Sequence, residues 1–158
     1  MQAQPRVRSN KGVSTMRYEL AMLKNAVRMK KTANILTKEL QLVALKSYDT
    51  LNWRDGTMGQ VHAMSDIARQ IDECNTFYNA VKKALLTLPK GYATLLVTVY
   101  FKNADKVALA KKYNVSRSTV YRKLYYAREL FARSLNDLGF TEQWFNDNYG
   151  HYDLFVED

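Results

Sequence analysis

Few residues in this chain interrupt a helix. Its 158 residues include only two prolines and six glycines. Long stretches therefore lack the residues that end helices, and an all-α fold is expected. A single cysteine, Cys74, excludes an internal disulfide. Two histidines, His62 and His151, stand far apart with no Cys, His or carboxylate at metal-ligand spacing. There is no glycine-rich phosphate loop, and no Ser, Cys or Asp lies in a nucleophile context. The expectation is a protein that is not an enzyme and needs no metal or cofactor. The longest apolar run, residues 92–101, is far short of a membrane span. With no signal peptide at the start, a reducing cytoplasm is the expected setting and no membrane is an expected partner.

What the chain does have is positive charge and regular apolar spacing. The formal net charge is +9, but it is unevenly spread. Residues 1–88 and 89–138 each carry a net +7, and residues 139–158 a net −5. A basic body favours a polyanionic partner, and no apolar face rich in Trp or Phe flanks the lysines, so nucleic acid is favoured over membrane. A hydrophobic content of 47% supplies a core.

Four regions follow. Residues 1–14 hold Arg6, Arg8 and Lys11 with no acid and read as a basic disordered arm. Residues 15–88 are helical. Met22, Ala26, Met29, Ala33, Leu36, Leu40 and Val43 recur at spacings of 4,3,4,3,4,3, as do Ile67, Ile71, Cys74, Tyr78, Val81, Leu85 and Leu88. Each is a heptad seam. Leu20, Leu23, Val27, Leu42 and Leu45 widen the first apolar face. A break near Thr32 is expected in the first helix, and the second is expected to start near Ser65 or Asp66. Between them, Asp55-Gly56 and Gly59 signal turns, with Trp53, Met58 and Met64 as anchors. The seams pair as a long hairpin within one chain or between chains, since both arrangements bury the same stripe. Cys74 lies inside a seam and reads as a core thiol. The small residues of the seams, and surplus apolar surface at Leu20, Leu42 and Leu45, lead us to expect a homodimer through residues 15–88.

Residues 89–139 carry the motif. A helix is expected from Lys90 to Phe101, then one over 105–112. Leu109 and Ala110 close the buried face of the latter, and Ala110 is small where two helices must cross. Asn114 tolerates a left-handed backbone, and Ser116 caps the next helix. Val120 and Leu124 pin that helix, Ala127, Phe131 and Leu138 extend its apolar face, and Gly139 stops it. Arg117, Ser118, Tyr121, Arg122 and Tyr125 face outward, and no acid occurs between Lys106 and Arg128. These are the parts of a helix-turn-helix whose second helix enters a major groove. Arg117, Ser118, Tyr121 and Arg122 are candidate base contacts. Lys111, Lys112, Ser116, Lys123, Tyr125 and Arg128 are candidate phosphate contacts. In the acidic aromatic tail, residues 140–158, Thr141 caps a short helix over Glu142 to Asn148. Phe140, Trp144, Phe145, Tyr149, Tyr152 and Phe155 either fold back onto the helices or form a docking segment.

From Leu88-Pro89 through Tyr100-Phe101, Asp105, the Leu109-Ala110 pair and Ser116 to Leu124, the chain resembles region 4 of sigma-70-type transcription factors. It is also similar to phage-encoded sigma-like regulators of the ArpU late-gene type. Two departures stand out: Asn103-Ala104 replaces the usual Gly before the motif, and Asn114 stands where Gly is common. The resemblance implies an all-α protein with a long helical hairpin and a region-4-like end, in a bacterial or phage-infected cell. It implies sequence-specific binding of promoter duplex DNA and contact with RNA polymerase. Residues 15–88 do not resemble the strand-melting region 2, because Tyr18, Tyr48, Trp53, Phe77 and Tyr78 are scattered. Recognition without strand opening is therefore implied. The alternative is a DNA-packaging adaptor of small-terminase type, with a helix-turn-helix on an oligomerising hairpin. The target sequence, and activation versus repression, are not encoded in any motif.

Overall fold

A computed structural model of the chain describes residues 17–49 and 57–152. The expected basic arm at residues 1–14, the Trp53 anchor, the Asp55-Gly56 turn, the Met58 side chain and Phe155 lie outside the described residues. The described residues are helical, with no strand among them. The helices are α1 (Tyr18–Asp49), α2 (Thr57–Leu86), α3 (Lys90–Leu96), α4 (Lys106–Lys112), α5 (Arg117–Asp137) and α6 (Glu142–Tyr149).

α1 and α2 form the most extensive packing in the molecule. At 32 and 30 residues each is about 45–48 Å long at 1.5 Å per residue. Too few residues separate them to return to the far end: a short connection spans at most about 3.6 Å per residue. They therefore run antiparallel. Met22, Ala26, Met29 and Ala33 of the first seam and Cys74, Val81 and Leu85 of the second are buried, so the two seams meet within one chain. The other seam residues, Leu36, Leu40, Val43, Ile67, Ile71, Tyr78 and Leu88, are only half-buried.

Two expectations about these helices are corrected. α1 is continuous through Thr32, whose hydroxyl donates to the Arg28 carbonyl at 2.9 Å and leaves the backbone ladder intact. α2 begins at Thr57, well before Ser65. Gly59 lies within it with open space around it. A glycine inside a helix costs only about 1 kcal/mol, which extension of the α1 contact through Met64 and Ile67 offsets.

The remaining helices cover one end of this pair. Leu96 and Val99 of the α3 segment, Leu124, Ala127, Phe131 and Leu135 of α5, and Phe145 and Tyr149 of α6 join a single core with residues 18–33 and 74–85. The Ser134 hydroxyl of α5 donates to the Ala84 carbonyl at 3.2 Å and also meets the Thr87 hydroxyl. Pro89 opens α3, its carbonyl accepting from Tyr92 and Ala93. After Leu96 the expected single helix to Phe101 loosens into a π-helical turn over Val97–Phe101, where Lys102 N–H reaches back to the Val97 carbonyl at 3.1 Å. Such one-turn widenings let a helix add a residue without leaving its neighbours.

The described part of the tail, residues 140–152, folds back onto this core. Thr141 caps α6 by accepting from Trp144 N–H at 3.2 Å. Phe145 and Tyr149 are fully buried beside Phe77, the Phe77 and Tyr149 rings meeting edge-on at 5.0 Å. Tyr149 Oη donates to the Glu73 carbonyl at 2.7 Å, and Tyr152 Oη meets the Glu73 carboxylate. Burial pushes both phenols above their ordinary range. Cys74, beside Glu73, is 2% exposed, and burial likewise raises its thiol pKa, as befits a core residue and not a nucleophile.

Candidate nucleic-acid interface

The connection between α4 and α5 is closed by backbone hydrogen bonds. Asp105 starts α4 by accepting from Val107 N–H at 3.2 Å. At the other end Asn114 has φ 54°. Its N–H bonds the Lys111 carbonyl at 3.2 Å, and Val115 N–H bonds the Ala110 carbonyl at 3.0 Å. This pair of bonds around a left-handed residue is the Schellman closure of a helix end. Asn substitutes for the more common Gly because its short side chain tolerates positive φ. Asn103 takes φ 51° in the same way in the loop before α4.

Ser116 then starts α5. Its Oγ accepts from Thr119 N–H at 3.2 Å and lies 2.9 Å from the Thr119 hydroxyl. Val120 (4% exposed) and Leu124 (3%) seat α5 against Leu109 and Ala110. The helix ends at Leu138, with Gly139 at φ 87°. Phe140 N–H bonds the Leu135 carbonyl at 2.8 Å, a second Schellman closure. Leu138, expected on the buried face, is 42% exposed, because the chain turns away there toward α6.

All four candidate base-contacting residues, Arg117, Ser118, Tyr121 and Arg122, are exposed on the first turns of α5. Arg122 lies opposite the Val120–Leu124 face. Two cations approach the Tyr121 ring, with Lys106 Nζ 5.1 Å and the Arg117 guanidinium 6.0 Å from its centre. Such cation–π contacts hold long side chains in place while leaving their donors exposed. Lys106 is not among the site residues expected from sequence; its place in the first turn of α4, facing Tyr121, is visible only in three dimensions. Tyr126, four residues after Arg122, is 51% exposed and sets its ring edge-on against Tyr92 of α3 at 5.2 Å.

The candidate phosphate-contacting residues divide. Lys111 and Lys112 are exposed in the last turn of α4, where cations also complement the helix dipole. Tyr125 is exposed beside Arg122. The Ser116 hydroxyl is committed to the cap, which leaves it exposed but partly occupied. Lys123 sits on a different flank. With Lys90 it lines a cavity of 620 Å³ between α3, α4 and α5, whose apolar wall includes Leu95, Leu109, Val115 and Val120. Arg128 is half-buried, donates to Tyr100 Oη at 3.5 Å and lies 5.9 Å from the Tyr125 ring centre. It braces α5 against the α3 segment.

The first acid after this face is Glu129, and it is engaged. Arg17 pairs with both Glu129 and the buried Glu19, the latter at 2.6 Å. The hydrogen bond to Glu129 raises the Arg17 pKa further above its already high ordinary value. The outward surface of α4 and the first three turns of α5 therefore presents cations, hydroxyls and aromatic rings, bounded by the exposed carboxylate of Asp105 that caps α4 and by the paired Glu129. Among the described residues no group of His, Cys, Asp or Glu has the arrangement to hold a metal ion, and none of their helices is long and apolar enough to cross a membrane. No family model, curated protein or solved structure matches the chain.

Proposed function

We propose that this chain is a sequence-specific DNA-binding transcription regulator of sigma-like type, of phage or prophage origin, built as a long helical hairpin bearing a region-4-like helix-turn-helix. One observation carries the reading. A helix fixed at its start by Ser116 and from beneath by Val120 and Leu124 displays Arg117, Ser118, Tyr121 and Arg122 outward on an acid-free face. The first turns of such a helix are the part that fits a major groove. Arg117 and Arg122 are the base readers, because an arginine fork matches the two acceptors of guanine. Lys111 and Lys112, ending the supporting helix, contact phosphates of the same duplex, with Tyr125 and the Ser116 hydroxyl at the edge of the footprint.

The protein acts in the cytoplasm, without catalysis. It recognises promoter DNA and contacts RNA polymerase but does not open strands, because Tyr18 of α1 and Phe77 of α2 are spent on packing. Phe77 is fully buried, and Tyr18 is 9% exposed. Copies of the chain pair as a homodimer through residues 15–88. A packaging adaptor with the same parts has one supporting observation, the apolar surface left exposed on α1, and would assemble as a closed ring of many subunits.

In vitro selection from random duplexes, followed by a salt titration, tests the reading. A defined sequence should emerge, and log affinity should fall linearly with log salt. Neutralising Lys111 and Lys112 together should reduce the slope by about one unit for each phosphate that is no longer neutralised. Recovery of no sequence, or an unchanged slope in the double variant, would refute this assignment.

A further inference from the structure

The outward side of α1 carries a second stripe. Residues 24, 28, 31, 35, 38, 42 and 45 recur at spacings of 4,3,4,3,4,3. Each lies two residues after a member of the seam that faces α2, roughly 200° further around the helix at 3.6 residues per turn. This stripe therefore points away from α2. Its character changes along the helix. Lys24, Arg28 and Lys31 begin it, and Ile35, Lys38, Leu42 and Leu45 complete it. Ile35 is 65% exposed, Leu42 60% and Leu45 63%. They occupy the half of α1 beyond the end covered by α3, α5 and α6. Three large aliphatic side chains on one unpartnered helix face make a surface that water solvates poorly.

From this we infer that Ile35, Leu42 and Leu45 form a two-fold interface with the same stripe of a second copy of this chain. Charge selects that occupant. Residues 34–72 carry a net −1, and the rest of the chain a net +10. The projecting half of α1 and α2 is thus the part where two copies of a basic protein approach without strong repulsion, and it has no positive field to attract nucleic acid. The spacing is also self-complementary. In an antiparallel contact centred on position 40, Ile35 of one copy faces Leu45 of the partner subunit. Leu42 then faces the aliphatic stem of Lys38 of the partner subunit. Such an isologous contact closes at two subunits, and it places the two DNA-reading ends at opposite extremes of the pair.

The pairing is measured on the full chain without DNA, so its failure leaves the reading of α5 standing, and the reverse also holds. Sedimentation equilibrium should show a dimer at micromolar concentration. The double variant I35K/L42K should weaken association by about 100-fold or more. Its circular-dichroism helicity should remain that of the wild type, because both positions are solvent-exposed in the isolated chain. A wild-type monomer at about 100 µM, where mass action strongly favours association, would overturn the inference. A ring of eight or more subunits, or an I35K/L42K protein that still dimerises like the wild type, would do the same.

Discussion

The two halves of the α1–α2 pair are written in the same heptad pattern and meet different fates. In the half that carries α3, α5 and α6, Met29 is 3% exposed and Ala33 1%. In the projecting half, seam residues such as Leu40 and Ile67 are only half-buried, and Leu42 and Leu45 are mostly exposed. Periodicity specifies which side of a helix is apolar. It does not specify how many neighbours arrive to cover it, and two helices alone cannot enclose a seam. The covered half is a folded core that fixes the orientation of α5, whereas the projecting half leaves large aliphatic side chains of α1 exposed.

The largest expected effect would break the comparison if it failed. Phe131 is 0% exposed at the centre of the covered half, so Phe131→Ala should lose about 3–5 kcal/mol of stability in urea unfolding. Leu42→Ala, measured at dilute protein where copies are separate, should stay within roughly 0.5 kcal/mol of wild type. Comparable losses at the two sites would mean that the projecting half is as well packed as the covered one.

A smaller effect sharpens the account of how the covered half orients α5. At Asn114, with φ 54°, a substitution by alanine should cost about 1–2 kcal/mol, the strain of a left-handed β-carbon. Asn114→Gly should relieve that strain and be near neutral. Ser116→Ala should lose about 1 kcal/mol with the cap. If Asn114→Ala proved as stable as Asn114→Gly, the left-handed turn would be mistaken.

Much of this is legible in the sequence where a single residue does a local job. Asn114, Ser116, Gly139 and Thr141 each announce the end or start of a helix, because positive φ and side-chain capping suit few residue types. The seams are legible because helical periodicity is a one-dimensional signal. Other features are hidden for physical reasons. The start of α2 at Thr57 is obscured by Gly59, a turn signal that long-range packing against α1 overrides. The π-helical turn at Val97–Phe101 has no composition of its own. The Arg17–Glu129 pair, the Lys106–Tyr121 contact and the pinning of Tyr149 and Tyr152 to Glu73 join residues distant in sequence, and only the fold brings them together. The same holds within the candidate site. Helical spacing alone picks out Arg117, Ser118, Tyr121 and Arg122, but it does not show the turning of Lys123 to the flank or the bracing of Arg128 against Tyr100.

The affinity of a selected duplex for wild-type protein and for Arg122→Ala, at one fixed moderate salt concentration, tests the central claim most directly. Arg122 is exposed, opposite the packed face of α5, so its removal should leave the fold intact. The account predicts a loss of about 1–3 kcal/mol for the selected sequence and a much smaller change for unrelated duplexes. Equal affinity of the two proteins for the selected site would contradict it.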